Sequence, residues 1–215
     1  MCATRKTQLP VRKTFRHGDL RRALLEAGME LARDGGPNAI VLREATRRAG
    51  VAPNAAYRHF SSHSDLFQAV RAAALSSLAL AIEAEIAGLR RSKRPADLAR
   101  ATLRAVGTGY LKFARTETGL FRTAFSVTDP VEGDADVSKT GKSGLNPFQL
   151  LGSALDLMVE AGILPSERRP GAEYLAWSAV HGLAFLVIEG PLSGISAKDV
   201  HALTDRLLRM VEKGL

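Results

Sequence analysis

Between Leu42 and Phe60 the chain reads as two helices set around a single glycine, each too short to hold itself together in water. Leu42 to Ala49 carries helical spacing and stops at Gly50. Pro53 then opens a second run to about Phe60, at the position where its missing N–H would have no intrahelical partner anyway. Two helices joined by so tight a turn make a helix-turn-helix unit. Ala45 on the inner face lets the helices approach, and Val51 in the turn fills the gap between them. Packing must fix the pair, and apolar residues stand on both sides: Leu20, Leu24, Leu31 and Ile40 before it, Phe60, Leu66 and Phe67 after it. The pattern predicts a three-helix core around a rigidly held Pro53–His59 turn.

The rest of the sequence is helical in period. Leu20, Leu24, Ala27 and Leu31 recur at three-to-four spacing, with Asp19 near the start and Gly35-Gly36-Pro37 as a stop. Ser62 or Ser64 is placed to cap a long alanine-rich helix ending near Leu89. A second long helix runs from Pro95 to about Thr116, and a short one covers Leu120 to Phe125. Val127 to Gly144 is polar and aperiodic, and reads as a mobile loop. Asn146-Pro147 opens a helix that carries Leu150, Leu151, Leu155 and Met158 and stops at Gly162. Two more close the chain, near Pro170–Glu189 and Ala197–Lys213. No stretch alternates with period two for long enough to be a strand. The expected fold is all-α, with a three-helix N-terminal unit on a helical C-terminal body and about nine helices in all. The expected divisions are a basic arm over 1–17, the helix-turn-helix domain over 18–63 and the body over 64–215.

Charge is distributed unevenly. The net charge is +8, yet residues 1–60 hold 12 Lys+Arg against five Asp+Glu, whereas the remaining 155 residues hold 18 against 17. A localised basic block suits a polyanion, because neutralising phosphates releases condensed counterions; a solvated basic tail reads the same from charge alone. No apolar run approaches the roughly 20 residues of a membrane span, so no membrane association is expected. The basic start, Met1 to Arg12, has no apolar stretch behind it and predicts no secretory signal. Cys2, the one cysteine, has no internal partner. These features together predict a cytoplasmic protein.

The run LREATRRAGVAPNAAYRHFSSHSDLF, residues 42–67, resembles the DNA-binding domain of the TetR (tetracycline-repressor-like) family. The resemblance rests on the leading Arg-Glu-Ala, the Ala-Gly-Val turn, the Tyr-x-His-Phe end and the Ser-Asp-Leu-Phe entry to the next helix. It implies a homodimer on double-stranded DNA, its recognition helices in successive major grooves of an inverted-repeat operator. Carried over residue by residue, Tyr57 and His59 match phosphate contacts, and Arg43 lies near the backbone. Pro53, Asn54 and Ala55 match the base-facing start of the recognition helix, where the Asn54 amide suits the adenine edge. Arg58 is placed for guanine or phosphate, and Thr46 for the groove edge. Three departures stand out. Val41 and Ala52 replace the usual Ser or Thr caps, and His63 stands where a Lys usually touches phosphate. The basic residues Arg5, Lys6, Arg12, Lys13 and Arg16 would compensate along the backbone or in the minor groove. Tyr57 serves a core as well as a DNA face, and Arg47 and Arg48 suit a solvated face better than base reading. His59 and His63 stand four apart but lack the carboxylate or Cys that would complete a metal site.

The C-terminal body carries a second match, because Trp177-Ser178-Ala179-Val180-His181-Gly182 fits the Trp-x-x-x-His-Gly pattern of one TetR-type subgroup. That likeness implies a dimer interface made by the last two helices. An apolar stripe of Val200, Leu203, Leu207, Met210 and Val211, with Leu183, Phe185, Leu186 and Val187 on the preceding helix, supports it. A small-molecule effector would sit among the middle helices. Its candidate walls are Tyr110, Phe113, Phe121, Phe125, Phe148, Met158, Trp177 and His181, residue types that at helical spacing are more often plain core. Few charges fall among these positions, which suits an apolar ligand with one or two hydrogen bonds. The expected protein is a ligand-released repressor. A ligand-independent DNA-binding dimer and a co-repressor-dependent or activating regulator remain open beside it. With no metal quartet, phosphate loop or nucleophile–base pair in the sequence, no enzyme activity and no cofactor are expected.

Overall fold

The computed structural model describes residues 17–90, 92, 94–127 and 134–215. The basic arm predicted for residues 1–17 lies outside them, His17 excepted. Among the described residues there are nine α-helices and no strand: α1 (His17–Gly35), α2 (Leu42–Ala49), α3 (Pro53–Ala56), α4 (His63–Ala87), α5 (Pro95–Thr116), α6 (Thr118–Ala124), α7 (Pro147–Glu160), α8 (Ala172–Ile188) and α9 (Ala197–Gly214). The all-α reading therefore holds.

Helix starts follow side-chain chemistry. The Ser62 hydroxyl accepts the Asp65 N–H at 3.1 Å and opens α4. Asn146 and Gln149 cap each other reciprocally at 2.9 Å to open α7. Ser196 accepts the Asp199 N–H at 3.2 Å to open α9. Val41 and Ala52 make no side-chain cap, as their types dictate. The recognition helix is shorter than its sequence pattern: α3 spans four residues, and the chain turns out of it through two N–H groups, of His59 and Phe60, that share the Ala56 carbonyl.

The spine is α4. It packs on α1, α5, α6 and α7. Leu66, Val70, Leu78 and Ile82 are buried along it, so one core runs from Leu24, Ile40 and Phe60 through to Leu120, Leu155 and Met158. By length and mean hydropathy alone α4 is long and apolar enough to cross a membrane, although polar and charged residues interrupt its apolar runs. Its apolar faces are instead spent on neighbouring helices.

Helix α6 is held at two places, one against the front of the molecule and one within the body. At the first, Gly119 of α6 lies against the end of α1, and a Cβ there would sit 2.1 Å from the Ala32 carbonyl oxygen. Arg33 closes this seam with a 2.9 Å ion pair to Glu117. At the second, buried Arg71 of α4 donates to the carbonyls of Ala124 and Val127, at 3.2 and 3.3 Å, and holds the end of α6.

The segment read as a mobile loop is corrected in its second half. Residues 134–146 lie on α4 and include a 3₁₀ turn over Val137–Lys139. The Glu83 carboxylate accepts the N–H groups of Lys142 and Ser143, each at 2.8 Å, and the Ser143 hydroxyl at 2.5 Å. The Ser76 hydroxyl donates to the Thr140 carbonyl at 2.7 Å. Burial works against the Glu83 charge, but the bonds from Ser143 and Lys142 outweigh it and hold its pKa below the usual carboxylate value. Polar composition here marks hydrogen bonding to a helix rather than freedom.

Candidate nucleic-acid interface and effector cleft

The front unit is built outward from buried residues. Leu42, Ala45, Ala56 and Phe60 face the three-helix core, and Arg21 of α1 covers the Phe60 ring at 5.1 Å. The α2–α3 turn depends on Gly50, whose φ of 71° is in the left-handed region that side chains disfavour. Its geometry lets the Val51 N–H reach the Thr46 carbonyl at 3.0 Å. With that inner face fixed, Pro53, Asn54, Tyr57 and Arg58 point to solvent, while Ala55 and His59 are half-buried. Tyr57 is 57% exposed, so it is not a core aromatic. An exposed phenol, amide and guanidinium on a rigid turn form a surface fit for a groove.

Several predicted positions fall elsewhere. Thr46 is only 1% exposed and its hydroxyl donates to the Arg43 carbonyl at 2.7 Å, so it serves the helix pair and not the groove edge. Arg43 is exposed beside it. Arg47 pairs with Glu44 at 2.6 Å, and Arg48 with Asp34 at 2.9 Å, in keeping with a solvated charged face. The His63 Nε2 lies 2.6 Å from the Ile40 carbonyl, and its ring stacks on Phe67. It thus ties the approach to α2 onto the start of α4.

The body encloses a cleft of about 850 Å3, its open mouth included. Leu75 and Ile82 of α4, Leu103 and Val106 of α5, and Leu208 and Val211 of α9 give it apolar sides. Of the predicted walls, Tyr110, Phe125, Phe148 and Trp177 do line it. Phe113, Phe121, Met158 and His181 do not. Phe113 borders a separate groove between α4 and α5, and Met158, 1% exposed, is packed in the core. Phe121 stands edge-on to Tyr110 at 5.4 Å.

His181 acts through Tyr110. The Trp177 Nε1–H donates to the Tyr110 hydroxyl at 3.0 Å, and that hydroxyl lies 2.7 Å from His181 Nδ1. Because the Tyr110 oxygen accepts from Trp177, its own proton goes to Nδ1, which leaves the imidazole proton on Nε2. Desolvation lowers the His181 pKa and raises that of Tyr110, so both rings are neutral near pH 7. Trp177 and His181 stand one helical turn apart, so this pair clamps α8 to α5 through one oxygen.

Sequence reasoning missed the polar part of the cleft. Arg104, Asp134, Lys139 and Asn146 line it. Lys139 and Asp134 are ion-paired at 2.7 Å, and the Lys139 hydrogen bond lowers the Asp134 pKa against burial. Arg104 meets Glu212 of α9 at 2.7 Å. Asp134 and Lys139 sit in the segment whose composition reads as loop, and nothing in their spacing points inward.

The predicted dimer face is divided. Leu183 and Val200 are 9% and 4% exposed and pack within the chain itself; Leu203, Leu207 and Val187 are half-buried. Leu186 and Met210 are exposed, and so are Leu175 and Phe185. Leu175, Gly182, Phe185 and Leu186 follow helical spacing along one side of α8, and Gly182 has open space around it. Leu175 is not among the interface residues expected from sequence, although the same spacing carried back two turns from Gly182 reaches it.

Comparison with known proteins agrees with this arrangement. Residues 103–211 match the family described as tetracyclin repressor-like, C-terminal domain, and residues 24–70 match bacterial regulatory proteins, tetR family. A solved protein of unknown function from Rhodococcus sp. RHA1 is 25% identical, with a TM-score of 0.69, covering 91% of this chain and 96% of that one. The regulator FadR from Bacillus subtilis, solved with stearoyl-CoA, is 13% identical at a TM-score of 0.61, covering 90% and 98%. A TetR variant from Acinetobacter baumannii AYE, solved with minocycline, is 16% identical at 0.56, covering 94% and 96%. No curated protein sequence matches the chain.

Proposed function

The chain belongs to the tetracycline-repressor-like (TetR) family of bacterial regulatory proteins, and on that premise we propose that it is a repressor released from a palindromic operator by a small apolar ligand. The observation that carries this reading is the pairing of an exposed recognition turn, Pro53 to His59, with an apolar cleft joined to it by one helix, α4. The DNA-reading domain corresponds to residues 18–63 and the dimerising, sensing body to 64–215.

In this reading Asn54 reads a base edge, with Pro53 and Ala55 beside it. Tyr57, His59, Arg43 and His63 take phosphates, and Arg58 takes either. Two copies associate through the outer side of α8 and α9, where Leu175, Phe185, Leu186 and Met210 are exposed. A ligand among Tyr110, Phe125, Phe148 and Trp177 favours a wider separation of the two recognition turns than one DNA turn, ~34–36 Å, allows. The structures of Bacillus subtilis FadR with stearoyl-CoA and of the Acinetobacter baumannii TetR variant with minocycline lend support, since each pairs this fold with a small molecule. A regulator of this kind works in the cytoplasm and has no catalytic role.

The test is binding of the purified protein, at moderate salt, to the palindrome upstream of its own gene. A footprint over two half-sites is expected. Equal affinity for a scrambled duplex would overturn the reading.

A further inference from the structure

We infer that the cleft takes a hydrocarbon acid, its carboxylate held at the mouth by Arg104 and its tail lying inward toward Tyr110. This rests on the cleft being the effector site.

Helices α5 and α9 come close together in the cleft wall, where a Cβ on Gly107 would collide with the Leu208 side chain. One turn along each helix, the same crossing brings Arg104 to Glu212 at 2.7 Å, and Arg100 meets that carboxylate at 3.1 Å. Two guanidinium groups share one carboxylate, which leaves a surplus positive charge. Glu212 does not use the donors of Arg104 either. Its Oε2 is buried and accepts no hydrogen bond, so no Arg104 N–H is aimed at it. Arg104 itself lines the cleft. Its guanidinium offers a planar fork of N–H groups that matches the two oxygens of a carboxylate.

Exposure decides which way such a ligand lies. The Arg104 side chain is 45% exposed, whereas Leu103, Val106 and Tyr110 on the same helix are buried. Arg104 and Tyr110 stand about 9 Å apart along α5 by helical rise. A carboxylate at Arg104 keeps part of its hydration and avoids the full cost of burying a charge. Its tail still leaves water for the apolar lining of Val106, Phe125, Phe148 and Leu208. The other cation in the wall is unsuited to an acid. Lys139 Nζ already faces two carboxylates, Asp134 at 2.7 Å and Asp136 at 3.8 Å.

Trp177, the only tryptophan, lies in the wall and reports occupancy by its own emission. Titrations at pH 8, where a carboxylic acid is ionised, compare decanoate with decan-1-ol. The readout is the ratio of the two affinities, in which any change of the cleft common to both ligands cancels. The parent should bind decanoate at least as tightly as decanol. Arg104→Met keeps an apolar stem without the charge and should cost decanoate about tenfold relative to decanol, the scale of one charge-assisted hydrogen bond. Arg100→Met leaves Glu212 to Arg104 alone and removes the surplus charge. It should lower the ratio in the same direction, although Arg100 is not among the cleft-lining residues. Circular dichroism melts establish that each variant is folded. Binding of decanol alone by the parent, or an unmoved ratio in Arg104→Met or in Arg100→Met, overturns the inference and leaves the effector site standing. No change in Trp177 emission with either ligand overturns both.

Discussion

Gly119 of α6 sits so close to Ala32 of α1 that a methyl group on it would lie 2.1 Å from the Ala32 carbonyl oxygen. The obstacle is main chain and has no rotamer to escape into. Gly119→Ala should destabilise the protein by about 1–3 kcal/mol, the usual cost of overpacking, read as a lower urea midpoint with unchanged slope. Because this seam joins the DNA-reading unit to the body, the variant should also weaken operator binding. A midpoint within error of the parent would show that the seam is not tight in solution.

The Glu83 carboxylate holds the segment after Lys139 onto α4 through three hydrogen bonds. Glu83→Ala should leave two backbone N–H groups to water and release that segment. Hydrogen exchange at the Lys142 and Ser143 amides is the direct measure, and about tenfold faster exchange is expected. Exchange elsewhere in α4 should hardly change.

Burial lowers the His181 pKa from its ordinary value of 6.5. The unfolded chain therefore binds the proton more readily than the folded one. The resulting stability is fully present above about pH 6.5 and is lost as pH falls below it toward the lowered folded value. His181→Gln keeps an acceptor for Tyr110 but does not titrate. Denaturant midpoints measured from pH 7.5 down to 5 should fall more steeply for the parent than for the variant. Parallel curves would count against a buried neutral His181.

Asn54→Ala should relax sequence preference more than it lowers non-specific affinity, by roughly 1–3 kcal/mol of discrimination at one base pair. Tyr57→Phe and His59→Ala should instead weaken all duplexes alike. Fluorescence anisotropy with operator and scrambled DNA separates the two classes. Unaltered affinity in the phosphate variants would remove those residues from the interface.

The front of the molecule was readable from sequence because its rules are local. A glycine that must adopt positive φ, a proline that must open a helix and alternating large and small apolar residues leave little choice between Leu42 and Phe67. The helix starts near Ser62–Ser64 and at Asn146-Pro147 were readable for the same reason, and the structure selects Ser62 as the cap of α4. The cleft was not. Met158 and Phe113 have the same spacing as Phe148 and Trp177, and only tertiary packing decides which side chains border a void. Lys139 was hidden for a different reason. Its segment has no period of its own, and its position is set by Glu83, more than fifty residues earlier in the chain.

The recognition helix is a single turn of four residues, Pro53 to Ala56. The side chains that hold it, Ala45, Ala56 and Phe60, are buried, and those that would choose a sequence, Asn54 and Arg58, are not. Target choice and foldedness are thus written on different residues. After gene duplication, a copy can exchange its exposed side chains one at a time and drift toward a new set of promoters without passing through an unfolded ancestor.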